Sequence, residues 1–155
     1  MPPTFPTLDR TDRRLLDLLR VDAAKPLYEL GELVGLSPSA VQRRLTRLRV
    51  SGVIRGQVAV LDPRALGLAM TTLVLVELEA DTGPHYTAFR ECLRDEPAVR
   101  QCYHVAGQWD FVVVLMTADF DTYRQVAERL FLANPAVRRY ETLPAYGTEA
   151  APEAV

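Results

Sequence analysis

The chain has little of what most catalytic or secreted proteins depend on. Its 155 residues include two cysteines, Cys92 and Cys102, with no CxxC spacing, so neither a disulfide framework nor a thiolate zinc site is available. Histidine occurs twice, at His85 and His104, and tryptophan once, at Trp109. No run of about 18 apolar residues exists, which excludes a membrane-spanning helix. The opening Met-Pro-Pro-Thr-Phe-Pro-Thr has neither the basic start nor the apolar centre of a secretory leader, and a cytoplasmic protein is expected. No nucleophile-base pair, phosphate-binding glycine loop or metal-ligand cluster is visible, so neither an enzyme nor a resident cofactor is expected.

One more absence points to a function. Between Ser37 and Arg55 there is no acidic residue, yet five arginines (Arg43, Arg44, Arg47, Arg49 and Arg55) fall there, in a chain of formal net charge -2. Residues 1 to 61 hold ten Lys/Arg against six Asp/Glu, net +4, and residues 62 to 155 hold eight against fourteen, net -6. An N-terminal module facing a polyanion and a C-terminal module with another task follow from this division.

Local signals give the N-terminal module its form. Residues 8–20 read as an amphipathic helix with Leu15, Leu18 and Leu19 on one stripe and Asp9 or Thr11 as cap. Leu27 to Val34 reads as a short helix with Gly35 in the turn after it. Ser37 is a good N-cap and Pro38 suits the first helical position, predicting a further helix to about Val50 with Ser51-Gly52 as its stop. Val41, Leu45 and Leu48 form its inner stripe, and Ser39, Gln42, Arg43, Thr46 and Arg47 stand opposite.

Two helices around a glycine turn, the second with a polar basic face, describe a helix-turn-helix whose second helix enters the major groove of double-stranded DNA. Arginine pairs with guanine edges or phosphates, glutamine reads adenine, and a serine near the helix start bonds a phosphate or a base. The candidate DNA-binding residues are Ser37, Ser39, Gln42, Arg43, Arg44, Thr46, Arg47 and Arg55, with Arg44, Arg47 and Arg55 assigned mostly to phosphates. A solvated face of a helical hairpin is the plainer alternative. Val53 to Leu61 contains two short β-prone runs around Gly56 and suggests a small hairpin, or wing.

The C-terminal module alternates. Residues 70–80, 99–106, 111–117 and 137–146 are strand-like, whereas 84–94 and 120–132 are helical, with Tyr86, Phe89 and Leu93 striping the first helix and Tyr123, Val126, Leu130 and Phe131 the second. This β-α-β-β-α-β order is the ferredoxin-like plan, an antiparallel sheet with both helices on one face. The fold class is therefore α+β, with a winged helix-turn-helix domain at 8–61, a linker at 62–69, a βαββαβ domain at 70–147 and a tail at 148–155. In Leu73-Val-Leu-Val-Glu-Leu and Phe111-Val-Val-Val-Leu-Met both faces are apolar, although two helices cover only one. The simplest cover for the other face is the same sheet of a second copy, a two-fold homodimer that presents two recognition helices to two half-sites.

In order and spacing these modules resemble the Lrp/AsnC family of prokaryotic transcriptional regulators. The resemblance runs from Leu8 to about Gly147 and is carried by Leu8-Asp9-x-x-Asp12-x-x-Leu15-Leu16, Val34-Gly-Leu-Ser-Pro-Ser39, Arg43-Arg44-Leu-x-Arg47-Leu, Gly52-Val-Ile-x-Gly56 and Gly107-Gln-Trp-Asp110. It departs at Ala23-Ala24-Lys25, where the family often has Gly-Arg, and at Ala106 and Trp109, where a small hydroxyl residue and a tyrosine are more usual.

The resemblance implies a C-terminal domain of the RAM/ACT-like type, a homodimer that builds larger homo-oligomers, no membrane partner, and a small effector, usually an amino acid, held near the Gly-x-x-Asp loop. On this chain the effector candidates are Ala106, Gly107, Gln108, Trp109 and Asp110, with Asp119 and Thr142 from adjoining segments. Backbone N–H groups around Gly107 suit a carboxylate and Asp110 suits an ammonium. The alternative is a plain β-turn with Trp109 packed. Two further readings share the architecture: a sirohaem-decarboxylase-like enzyme, for which His104 would matter, and an architectural DNA binder without effector.

Overall fold

The computed structural model describes residues 6–80 and 83–146. The tail and Gly147 lie outside the described residues. The chain divides into two compact units between Val60 and Leu61.

In the first unit, helix α1 (Arg10–Val21) opens on a reciprocal cap: the Asp12 amide donates to Asp9 Oδ1 at 2.7 Å, and the Asp9 amide donates to Asp12 Oδ2 at 3.1 Å. Helix α2 (Leu27–Val34) ends where Gly35 takes a left-handed conformation, φ 69°. The turn is tightened by the Leu36 amide, which donates to the Gly31 carbonyl at 2.9 Å. A Cβ on Gly31 would collide with the Leu36 carbonyl oxygen, so this position accepts no side chain without moving the turn.

Helix α3 (Pro38–Val50) starts on Ser37, whose Oγ accepts from the Ala40 amide at 3.3 Å. Leu15, Leu30, Val41, Leu45 and Leu48 meet in one buried cluster. The apolar stripes of the three helices thus close on each other and leave the polar side of α3 outside.

The hairpin expected at Val53–Leu61 does not form. No strand occurs among residues 53–69: a bend at Val53 and Ile54 leads into irregular chain, and one 3-10 turn follows at Arg64–Leu66. Val58, Val60 and Leu61 have β-prone side chains but no second strand to pair with among the described residues, and they stand exposed.

The second unit contains β1 (Met70–Leu78), α4 (Gly83–Arg94), β2 (Val99–His104), β3 (Phe111–Thr117), α5 (Phe120–Ala127, then a π-helical turn at Glu128–Leu132) and β4 (Val137–Ala145). The four strands form one antiparallel sheet in the order β2-β3-β1-β4, the ferredoxin-like arrangement. Val74, Val76 and Leu78 of β1 and Phe111, Val113 and Leu115 of β3 point toward the helices, where Phe89, Leu93, Tyr123, Val126, Leu130 and Phe131 bury them.

The opposite face is apolar too. Leu73 pairs with Val114, Leu75 with Val112 and Thr71 with Met116, and Leu143 and Tyr103 flank them at 41% and 50% exposure. Neither helix crosses this side.

Candidate nucleic-acid interface and ligand site

Of the residues assigned to DNA, the structure separates two groups. Ser39, Gln42, Arg43 and Thr46 are exposed along the outer side of α3. Ser39 Oγ lies 3.1 Å from Ser37 Oγ, and Gln42 Nε2 donates weakly to Thr46 Oγ1 at 3.5 Å. Arg43, Arg49 and Arg55 make no ion pair among the described residues.

Arg44 and Arg47 point instead to α1. Arg44 Nη1 donates to Asp9 Oδ2 at 2.6 Å and Asp12 Oδ1 at 2.8 Å, and Arg47 Nη2 donates to Asp12 Oδ2. Asp12 is 0% exposed, so two guanidiniums and the Asp9 amide satisfy a carboxylate that would otherwise be buried with an uncompensated charge. Both residues were expected mostly at phosphates; within the protein Arg44 pairs with Asp9 and Asp12 and Arg47 with Asp12, ion pairs that join α3 to α1. The Asp12 amide, followed by the Arg44 guanidinium, holds the Asp9 carboxyl below its ordinary range, and Asp9 raises Arg44 in return. Part of the signal lay in the sequence, since Asp12 falls in the first turn of α1 with Leu8, Leu15 and Leu16 at helical spacing and so has no basic residue of its own helix placed to claim it.

The loop between β2 and β3 is a tight, internally bonded turn. The Val105 amide donates to the Asp110 carbonyl at 2.9 Å, and the Asp110 amide donates to the Val76 carbonyl at 2.9 Å. Gly107 has φ 145°, a region that side chains rarely adopt. Ala106, Gly107 and Gln108 are exposed.

Asp110 does not offer an open carboxylate. Its Oδ2 accepts from the Leu78 amide at 2.7 Å and its Oδ1 from the Tyr86 hydroxyl at 2.9 Å, which ties the loop to the end of β1 and to α4. Trp109 packs under the Arg139 guanidinium, 4.5 Å from the ring centre, and Arg139 also pairs with Glu77. That pairing, chiefly with Arg139, holds the Glu77 carboxyl below its usual range.

Asp119 and Thr142 do not join this loop within one chain. Asp119 lies beyond the opposite end of β3, where its carboxylate caps α5 by accepting from the Thr122 amide at 2.7 Å. This bond holds its carboxyl low. Thr142, in the middle of β4, is hydrogen-bonded to the Tyr123 hydroxyl.

Sequence reasoning missed a groove elsewhere. The edge strand β2 is not covered by α4, and the cleft between them has a volume of about 580 Å³. Tyr86, Arg90 and Arg94 line one wall, and Cys102 and His104 line the other. The signal was present as an i, i+4, i+8 row on α4.

Comparison with known proteins fits this two-unit architecture. Residues 8–49 match the AsnC-type helix-turn-helix domain, and residues 71–151 match the Lrp/AsnC ligand binding domain. The chain belongs to the Lrp/AsnC family. It is 36% identical over 137 residues to an uncharacterized HTH-type transcriptional regulator of Haemophilus influenzae, covering 88% of this chain and 82% of that protein. The DNA-binding transcriptional activator DecR of Escherichia coli is 33% identical over 130 residues, covering 84% and 86%. Among solved structures, a transcriptional regulator from Neisseria meningitidis in complex with L-Met superposes with a TM-score of 0.86 at 26% identity, covering 94% of each chain.

The protein is thus an Lrp/AsnC transcriptional regulator with a DNA-binding helix-turn-helix and a ligand-binding domain. The Haemophilus influenzae and Escherichia coli relatives are transcriptional regulators by name. No helix among the described residues is long and apolar enough to cross a membrane.

Proposed function

We propose that this Lrp/AsnC regulator reads a specific DNA sequence as a homodimer and that an amino acid or close derivative modulates it. The observation that carries the DNA reading is the outer row of α3. Ser39, Gln42, Arg43 and Thr46 are exposed on the helix, and Arg43 has no hydrogen-bond or ion-pair partner among the described residues, which leaves its guanidinium for a guanine edge. Arg49 and Arg55 supply phosphate contacts. Arg44 and Arg47 act through Asp12, orienting the helix that carries the reading groups. The test is titration of a selected operator: Arg43→Ala should cost about 1 to 3 kcal/mol and relax preference at one base position, whereas Arg49→Ala should weaken all sequences alike and reduce the salt slope.

Two sheets packed face to face through Leu73, Leu75, Val112, Val114 and Met116 would make the dimer and bring two α3 helices to one duplex. For the effector, the support is the Neisseria relative solved with L-Met and the exposed backbone of Ala106, Gly107 and Gln108. Trp109 would wall such a site, and Asp110 shapes the loop from behind. A thermal-shift screen of the common amino acids tests this, since a ligand that binds only the folded state raises apparent stability.

A further inference from the structure

The groove between α4 and β2 has the makings of a second ligand site, separate from the Gly107 loop. Its floor and inner wall are apolar, built from Tyr86, Leu93, Val99 and Phe111. The Phe111 ring is 5.4 Å from Tyr86 and 5.2 Å from His104, so three rings close the end nearest the loop. Arg90 and Arg94 stand one helical turn apart above this floor.

The two guanidiniums are what distinguish this groove. Elsewhere in the unit Arg129 is paired with Glu96, and Arg138 and Arg139 with Glu77, but neither Arg90 nor Arg94 has a hydrogen-bond or ion-pair partner among the described residues. Among the described residues no carboxylate lines the groove. The Cys102 thiol faces it: burial raises this thiol and the nearby positive charge of Arg90 lowers it.

We propose that the α4–β2 groove binds a small organic carboxylate with an apolar body, its carboxylate between Arg90 and Arg94 and its body against Tyr86, Leu93, Val99 and Phe111. A planar fork matches a carboxylate with two parallel hydrogen bonds, and an apolar floor adds affinity that a bare inorganic anion does not gain. The volume suits a ligand the size of an arylalkanoic acid. This site stands on geometry of the C-terminal unit alone and does not depend on the amino-acid reading of the Gly107 loop.

The chain carries its own reporter pair for the test. Cys102 lies in the groove, and Cys92, also exposed and on α4, is absent from its lining. Full-length protein is treated with iodoacetamide with and without 3-phenylpropionate, and the alkylation rate of each cysteine is read from peptide masses. At ten times its Kd the ligand should slow Cys102 about tenfold, the fraction of sites left open by mass action, and leave Cys92 unchanged. The neutral 3-phenylpropan-1-ol should protect far less at equal concentration.

The exposed pair Arg90→Gln/Arg94→Gln should weaken protection by more than about tenfold without altering the melting temperature, given what charge-assisted hydrogen bonds contribute. The proposal is overturned if 3-phenylpropionate leaves Cys102 as reactive as before, if the alcohol or inorganic phosphate protects equally well, if both cysteines slow together, or if the double variant retains protection.

Discussion

Asp12 is the residue on which the DNA-binding unit turns. It closes the cap of α1 and holds Arg44 and Arg47 of α3, all from a position with no exposure. Asp12→Ala should therefore destabilise the protein by about 2 to 4 kcal/mol, toward the lower end because both guanidiniums still reach water, as read from urea unfolding. Operator affinity should fall even where the protein remains folded, because α3 loses its fixed seat.

The pH dependence follows from Asp9. Its folded-state carboxyl sits below its ordinary value of 3.8, so the stabilisation is present above that value and is lost as pH falls through the folded one. Unfolding midpoints measured from neutral to strongly acidic pH should drop over this acid limb, and Asp9→Asn should flatten that drop.

Asp110 shows where a residue's type was legible and its duty was not. Glycine and aspartate at a strand-to-strand loop suit both a zwitterion site and a turn. Which use applies depends on the Leu78 amide and the Tyr86 hydroxyl, 32 and 24 residues away in the chain, which no local spacing shows. Asp110→Ala should cost about 1 to 3 kcal/mol of stability, because it leaves a strand-end amide without its partner. Equal melting temperatures for the variant and the wild type would contradict this role.

At the scale of elements, periodicity and caps placed the regular structure well. Ser37-Pro38 and Ser51-Gly52 bracket α3 because capping and stop signals act within one turn. The ferredoxin-like order was legible because each strand and helix carries its own apolar period. The segment after α3 was not, since Val58, Val60 and Leu61 have strand propensity but a strand exists only if another pairs with it.

The end of α5 is similar: the apolar stripe runs on to Phe131, but the backbone widens into a π turn from Glu128, which seats Leu130 and Phe131 in the core. The α2–α3 turn offers a sharper test. Gly31→Ala must push the Leu36 carbonyl away from its place, and a loss of about 1 to 3 kcal/mol is expected in thermal or urea unfolding.

For the whole molecule, the unequal division of charge and the doubly apolar sheet have separate consequences. A fragment beginning at Leu68 retains the sheet and its second face, and light scattering at micromolar concentration should show it as a dimer. A monomeric fragment would remove the sheet-to-sheet interface from the proposal. The net +4 of residues 1 to 61 belongs to the other unit, so operator affinity should fall steeply with salt while dimerisation of the Leu68 fragment stays nearly constant.

Trp109 is the single tryptophan of the chain, and its indole lies beneath Arg139 at the β2–β3 loop. Ultraviolet emission excited at the indole band therefore comes from one place. The helix-turn-helix is dark in this light, so DNA docking that leaves the C-terminal unit undisturbed is spectroscopically silent, whereas any event that lifts the guanidinium or wets the ring changes the colour and intensity of the whole protein. The fold has in effect placed its one lamp beside the loop where an amino acid would arrive.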